Sequence, residues 1–93
     1  MTFSYTEIFK AASPLRGGTP VSSVAGGMWG TDAALADGEG LVSTTLASCK
    51  LVLITSIIAP AASGGIVRTT SSNGMICFGA GAACSGSWLT FGN

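Results

Sequence analysis

Residues 66–78 read IVRTTSSNGMICF, and the Asn73-Gly74 pair near their centre decides the fold class. Both residues tolerate the positive φ angles of a two-residue type I′ turn, so Asn-Gly between β-branched and apolar runs is the strongest short hairpin signal. The expected hairpin pairs Ile66–Thr70 with Met75–Phe78. In that register Ser72 faces Met75 and Thr70 faces Cys77.

The pattern extends outward on both sides. Ser87 to Phe91 alternates as a last strand, with Trp88 on one face and Leu89 and Phe91 on the other. Lys50 to Ile58, KLVLITSII, is apolar on both alternating faces, as expected for a central strand covered on both sides. Leu41 to Ala47 is a further strand candidate. The uncharged stretch from Leu51 to Val67 falls just short of a bilayer span and contains Pro60 and Gly64-Gly65, so it reads as a buried strand and a turn. Short strands separated by Gly-rich turns predict a mainly β protein, a small antiparallel β-sandwich or barrel.

The N-terminal portion reads differently. Ser4-Tyr5-Thr6-Glu7 fits the S-x-x-E capping box, and Phe3 and Ile8 fall at the positions of a hydrophobic staple. Pro14 would stop such a helix near Ala12 or Ser13. A short N-terminal helix is therefore expected, and it must dock because a helix of this length is not stable alone. The rival pattern is a strand with Phe3, Tyr5 and Phe9 on one face. Residues 13–40 are punctuated by Pro14, Gly17-Gly18, Pro20, Gly26-Gly27, Gly30, Gly38 and Gly40. They read as a Gly-rich extended arm with one short strand around Val21 to Val24. The organisation is thus a helix and arm over residues 1–40 and a β domain over 41–93. The arm carries Phe3, Tyr5, Phe9, Met28 and Trp29, too much apolar surface to leave in water, and is expected to contact other chains. Trp29, flanked by glycines, reads equally as an anchor in a neighbour's pocket or as the lid of its own core.

Composition bears on partners. The 93 residues include four basic and four acidic ones, a net charge of zero, and only 9% are charged. Soluble domains normally place charge on about a quarter of their residues. Beyond Glu39 the only charges are Lys50 and Arg68, and from Thr69 to Asn93 there are none. Such a surface is poorly protected against association. A domain near this size hides only about 60–65% of its unfolded surface and usually leans on disulfides, metals or oligomerisation. There is no His, and Cys49, Cys77 and Cys84 lack a paired C-x-x-C spacing, so metal is a poor fit. The odd cysteine count argues against a disulfide framework, and Cys77 and Cys84 read as free thiols packing as small hydrophobes. Oligomerisation remains.

The same residues exclude most chemistry. No basic stripe exists to displace counterions from nucleic acid. MTFSYTEIFK lacks the basic start and apolar run of a secretory signal. Nucleophilic catalysis needs a base beside the nucleophile, and without His only Lys10, Lys50 or a carboxylate could serve. Asp32 and Asp37-Gly38-Glu39 do not match the spacing of a calcium loop and read as a solvated turn. Gly79-Ala80-Gly81 has no following Lys or βαβ unit and reads as a tight turn or bulge. No catalytic, cofactor-binding or metal-ligating residue is assigned, and the chain is not expected to be an enzyme. The expected partner interface comprises Phe3, Tyr5, Phe9, Met28, Trp29, Trp88 and Phe91.

A short, near-neutral chain rich in Gly, Ala, Ser and Thr, with a helical N-terminus, a Gly-rich arm and a β-rich C-terminal half ending in Ser87-Trp88-Leu89-Thr90-Phe91-Gly92-Asn93, resembles small virion proteins of tailed bacteriophages of the head-decoration, or cement, type. The resemblance covers the chain loosely and rests on composition and architecture. It implies a β-sandwich or barrel subunit, commonly trimeric, that sits on a capsid lattice and reinforces it; a tail or other minor virion component would look much the same. The expected partners are copies of the chain, with a trimer favoured, and the major capsid or other virion proteins, with no direct nucleic-acid and no membrane contact. The alternative resemblance is to a bacteriocin-like membrane-active peptide behind a double-glycine leader ending at Gly17-Gly18 or Gly26-Gly27. The hairpin and strand pattern here is stronger than any amphipathic helix such a peptide would need.

Overall fold

The structure, a computed structural model, describes residues 3–12, 21–57 and 66–93. Seven strands run in chain order: β1 Phe3–Ala12, β2 Ser23–Thr31, β3 Leu35–Ser43, β4 Cys49–Ile57, β5 Ile66–Ser72, β6 Met75–Ala80 and β7 Cys84–Gly92. They form a four-stranded sheet in the order β1-β2-β7-β4 and a three-stranded sheet in the order β3-β6-β5, all neighbours antiparallel. The sheets pack as a sandwich, not a closed barrel.

The hairpin lies where the Asn-Gly pair places it. Asn73 and Gly74 have φ of 48° and 79°, and β5 pairs β6 with Ser72 opposite Met75 and Thr70 opposite Cys77. Gly74 also seats the loop between β3 and β4: its carbonyl accepts from Thr44 N at 2.9 Å and from Thr44 Oγ1 at 2.6 Å. A Cβ at Gly74 would stand 2.1 Å from the Leu46 carbonyl oxygen. Gly74→Val is therefore expected to destabilise by about 2–3 kcal/mol, since a β-branched residue resists positive φ and the 44–48 loop must also give way. Chemical denaturation reads the loss directly, and a change below about 0.5 kcal/mol would exclude the I′ geometry.

Three expectations are corrected. Residues 3–12 form an edge strand, not a helix. Their aromatic and β-branched residues suit a half-buried strand, and β2 supplies a full ladder where a lone helix would have to nucleate unaided. Glu7, cast as a helix-capping carboxylate, instead accepts from Thr45 N at 3.1 Å and from Thr45 Oγ1 at 2.9 Å. A bulge between Glu7 and Phe9 breaks the alternation, so Phe9 faces away from Phe3 and Tyr5.

The Gly-rich arm is the second correction. Within 21–40 the chain forms β2 and the first part of β3, and the boundary drawn after Gly40 falls inside β3. Glycine weakens a strand in isolation, yet β2 is flanked on both edges, by β1 and β7, and its backbone groups are satisfied on both sides. Gly38 has φ of 88°, and the β3 register shifts between Leu35 and Gly40. The Glu39 carboxylate accepts from Ala36 N there.

The third correction concerns β4, expected at the centre of a sheet and found at an edge, with β7 as its neighbour. The expected helix stop at Pro14, the glycine pairs 17–18 and 64–65, Pro20, Ile58 and Pro60 lie outside the described residues.

The core between the sheets holds Ala25, Trp29 and Trp88 from one side and Leu35, Val42, Ile76, Phe78 and Ala80 from the other. Phe78 meets Trp29 edge-on at 5.0 Å and Phe3 edge-on at 5.7 Å, a favourable aromatic arrangement that ties the sheets together. The Trp29 indole N–H reaches beneath β7 and donates to the Thr55 carbonyl on β4 at 3.1 Å.

Candidate functional site: an uncharged sheet face

Because side chains alternate along a strand, the register of the four-stranded sheet assigns its outer face row by row. One row crosses all four strands as Ala11, Val24, Phe91 and Leu51. The next is Phe9, Gly26, Leu89 and Leu53. Two further rows, Thr6-Met28-Ser87-Thr55 and Ser4-Gly30-Ser85, carry mainly hydroxyls. No charged residue stands in any of these rows among the described residues.

The apolar rows are a contiguous patch. The Phe9 ring lies over Gly26, where an added Cβ would meet it at 2.5 Å and the Leu89 side chain at 3.2 Å. Val24 is buried among these neighbours although no second sheet covers it. Leu53 is 50% exposed, Leu51 47%, and Phe9 and Met28 44% each. At Met28 the sheet carries a shallow depression of about 310 Å³ lined by Ser4, Thr6, Gly30 and Ser85 together with Tyr5, Met28 and Trp29.

The nearest described charges are occupied or displaced from the face. Glu7 holds Thr45, and the Lys10 ammonium donates to the Thr45 carbonyl at 3.3 Å, both clasping the β3–β4 loop at the sheet's edge. Lys50 sits at the bulge between Cys49 and Leu51, past the last row.

The expected interface residues separate into three groups. Phe9, Met28 and Phe91 share the outer face. Trp29 and Trp88 are in the core, 3% and 2% exposed, so of its two readings Trp29 takes that of closing its own core. Phe3 is half-buried against Trp29 and Phe78, and Tyr5 is exposed beside it at the sheet edge. Sequence reasoning missed Leu51, Leu53, Leu89 and Val24 as members of the patch. Their signal was present in KLVLITSII, a strand apolar on both faces: the fold covers one of those faces and leaves the other open.

Among the described residues, no other cluster of reactive groups is found, and no three His, Cys, Asp or Glu side chains converge on a point. The three cysteines are free thiols; Cys77 lies on β6 and Cys84 on β7, in different sheets, and burial pushes the Cys84 thiol up from its usual range, away from the reactive thiolate. Trp88 Nε1 and Thr90 Oγ1 are buried without hydrogen-bond partners, a cost of about 1–3 kcal/mol each that narrows the margin of a small core.

Comparison of the chain with protein-family models, with curated proteins and with solved structures finds no match to any of them.

Proposed function

We propose that this chain is a non-enzymatic structural subunit of a viral particle, a capsid decoration protein that reinforces the lattice through apolar inter-subunit contacts. The observation that carries the reading is the outer face of the four-stranded sheet: two apolar rows four strands wide, uncharged, and built on a strand patterned for cover on both sides. A contiguous, uncharged apolar patch on an otherwise open sheet face is a candidate association surface. Binding there works by apolar burial, with shape and hydroxyl contacts setting register, and needs no charge steering. Its partners are further copies of the chain, with a trimer favoured, and the major capsid or other virion proteins.

The membrane-active alternative finds less support. Gly26-Gly27 lies in the middle of β2, between β1 and β7, where cleavage would divide the sheet. The described residues form strands and no amphipathic helix.

The test is the composition of purified particles from the virus that encodes the chain. Quantitative mass spectrometry is expected to find it in many copies per particle, in fixed ratio to the major coat protein. Particles assembled without it should lose their contents at a lower temperature. Absence from the particle, or presence in trace and variable amount, would overturn the reading.

A further inference from the structure

We propose that Asn73-Gly74 is a modification site: its spontaneous deamidation is gated by the hairpin it turns and, once complete, unfastens the loop between β3 and β4. An exposed asparagine stands here before a buried glycine whose carbonyl holds that loop.

The chemistry needs only water. The Gly74 backbone nitrogen attacks the Asn73 side-chain carbon Cγ, forming an N–Cγ bond as the Cγ–Nδ2 bond breaks. Ammonia leaves with the amide proton of Gly74, and a five-membered succinimide remains. Water then opens the ring. Attack at Cγ gives aspartate, and attack at the main-chain carbonyl carbon gives isoaspartate, in which Cβ and Cγ become part of the main chain. Residue 74 has no side chain to hinder the closure.

The fold decides when this happens. Ring closure needs the Gly74 nitrogen and the Asn73 Cβ on the same side of the Cα–C bond. A type I′ turn sets ψ of its first central residue at about +30°, which points that nitrogen nearly opposite Cβ. With Asn73 at φ 48° and Gly74 at φ 79°, the folded hairpin holds the nucleophile out of reach. Attack requires the 73–74 peptide to swing, and the β3–β4 loop resists the swing. Thr44 N and Thr44 Oγ1 both donate to the Gly74 carbonyl, at 2.9 and 2.6 Å, and the Leu46 carbonyl closes over the glycine where a Cβ would stand.

The isoaspartyl product cannot return to this seat. It adds one atom to the main chain of a two-residue loop whose length sets Ser72 against Met75 and Thr70 against Cys77. The Gly74 carbonyl is displaced, and Thr44 Oγ1 loses its acceptor. That same oxygen accepts from Leu46 N at 3.2 Å, and Leu46 belongs to the core, so the loosening runs inward from the turn. Either product also places a carboxylate in the stretch from Thr69 to Asn93, which otherwise carries no charge.

The test incubates the purified full chain in mildly alkaline buffer, folded and in urea, and follows mass and isoaspartate by peptide mapping. Deamidation makes the peptide about 1 Da heavier. Mapping separates Asn73 from Asn93, and Asp37-Gly38 can form the same ring without a change in mass. Asn73 should convert at least about 10-fold faster in the unfolded chain, because closure in the folded one waits on local opening. Thr44→Val should speed conversion of the folded chain roughly 3–10-fold, the share of one hydrogen bond, while Thr44→Ser stays near the parent. The isolated isoaspartyl form should unfold at a lower denaturant midpoint than the parent. Asn73→Asp, with the charge but not the added main-chain atom, should keep a midpoint close to the parent's. Equal rates folded and unfolded, an Asn73 that survives in the unfolded chain, or an unaltered rate in Thr44→Val would overturn the gate. An isoaspartyl form as stable as the parent, or an equal loss in Asn73→Asp, would overturn the unfastening.

Discussion

Gly86→Ala is expected to lower the stability of this fold by about 3–5 kcal/mol, a large part of what a small domain possesses. Gly86 lies on β7, between Trp29 of β2 and Ser56 of β4. A Cβ there would stand 1.8 Å from the Thr55 carbonyl oxygen and 2.9 Å from Trp29 Nε1. Those two atoms are bonded to each other beneath β7. Neither can retreat cheaply, since the carbonyl belongs to the β4 backbone and the indole is wedged against Phe78. The methyl must push β4 off β7 or break the bond and leave a buried donor unpaired. Denaturant unfolding measures the loss. Gly30→Ala is the matched control, because its Cβ would meet nothing closer than 3.8 Å, and it should stay within about 0.5 kcal/mol of the parent. If both variants behave alike, the indole does not pass under β7.

Phe78→Ala is the second large effect, an expected loss of about 3–5 kcal/mol. Phe78 is fully buried and is the ring through which the sheets meet, edge-on to both Trp29 and Phe3. The backbone of Gly40 lies close against it, so the site is already filled and collapses poorly around a cavity. Phe78→Leu retains most of the volume and should cost less than about 1.5 kcal/mol. Near-ultraviolet circular dichroism adds a structural readout, since Trp29 loses an aromatic neighbour in the first variant. Equal losses for Ala and Leu would show that ring geometry, not filled volume, sets the stability.

The sequence was most legible where a signal is local. Asn73-Gly74 carries its own dihedral preference, so turn, register and strand pair were all readable from four residues. The alternation of Ser87 to Phe91 placed Trp88 and Leu89 on opposite faces before any partner strand was known. The N-terminal segment was misread because two local signals competed. Ser4 and Glu7 suit a helix cap, while Phe3, Tyr5, Thr6, Ile8 and Phe9 suit a strand, and only the presence of β2 as a ladder decides between them. The glycines of β2 gave the wrong impression for a related reason. Their weakness as strand formers is intrinsic, and their support from strands on both edges is not.

By itself, then, the chain determined its β class, the Asn73-Gly74 hairpin and an apolar surface almost bare of charge, because each depends on residue type or on neighbours a few positions away. Only the tertiary structure decided the sheet order, the edge position of β4 and the placing of Trp29 inside with Phe9 and Phe91 outside. A strand apolar on both faces marks them identically, so which face is covered depends on pairing and packing between distant segments. That choice is what leaves Leu51 and Leu53 open beside Leu89, and with them the surface on which the protein's function is proposed to rest.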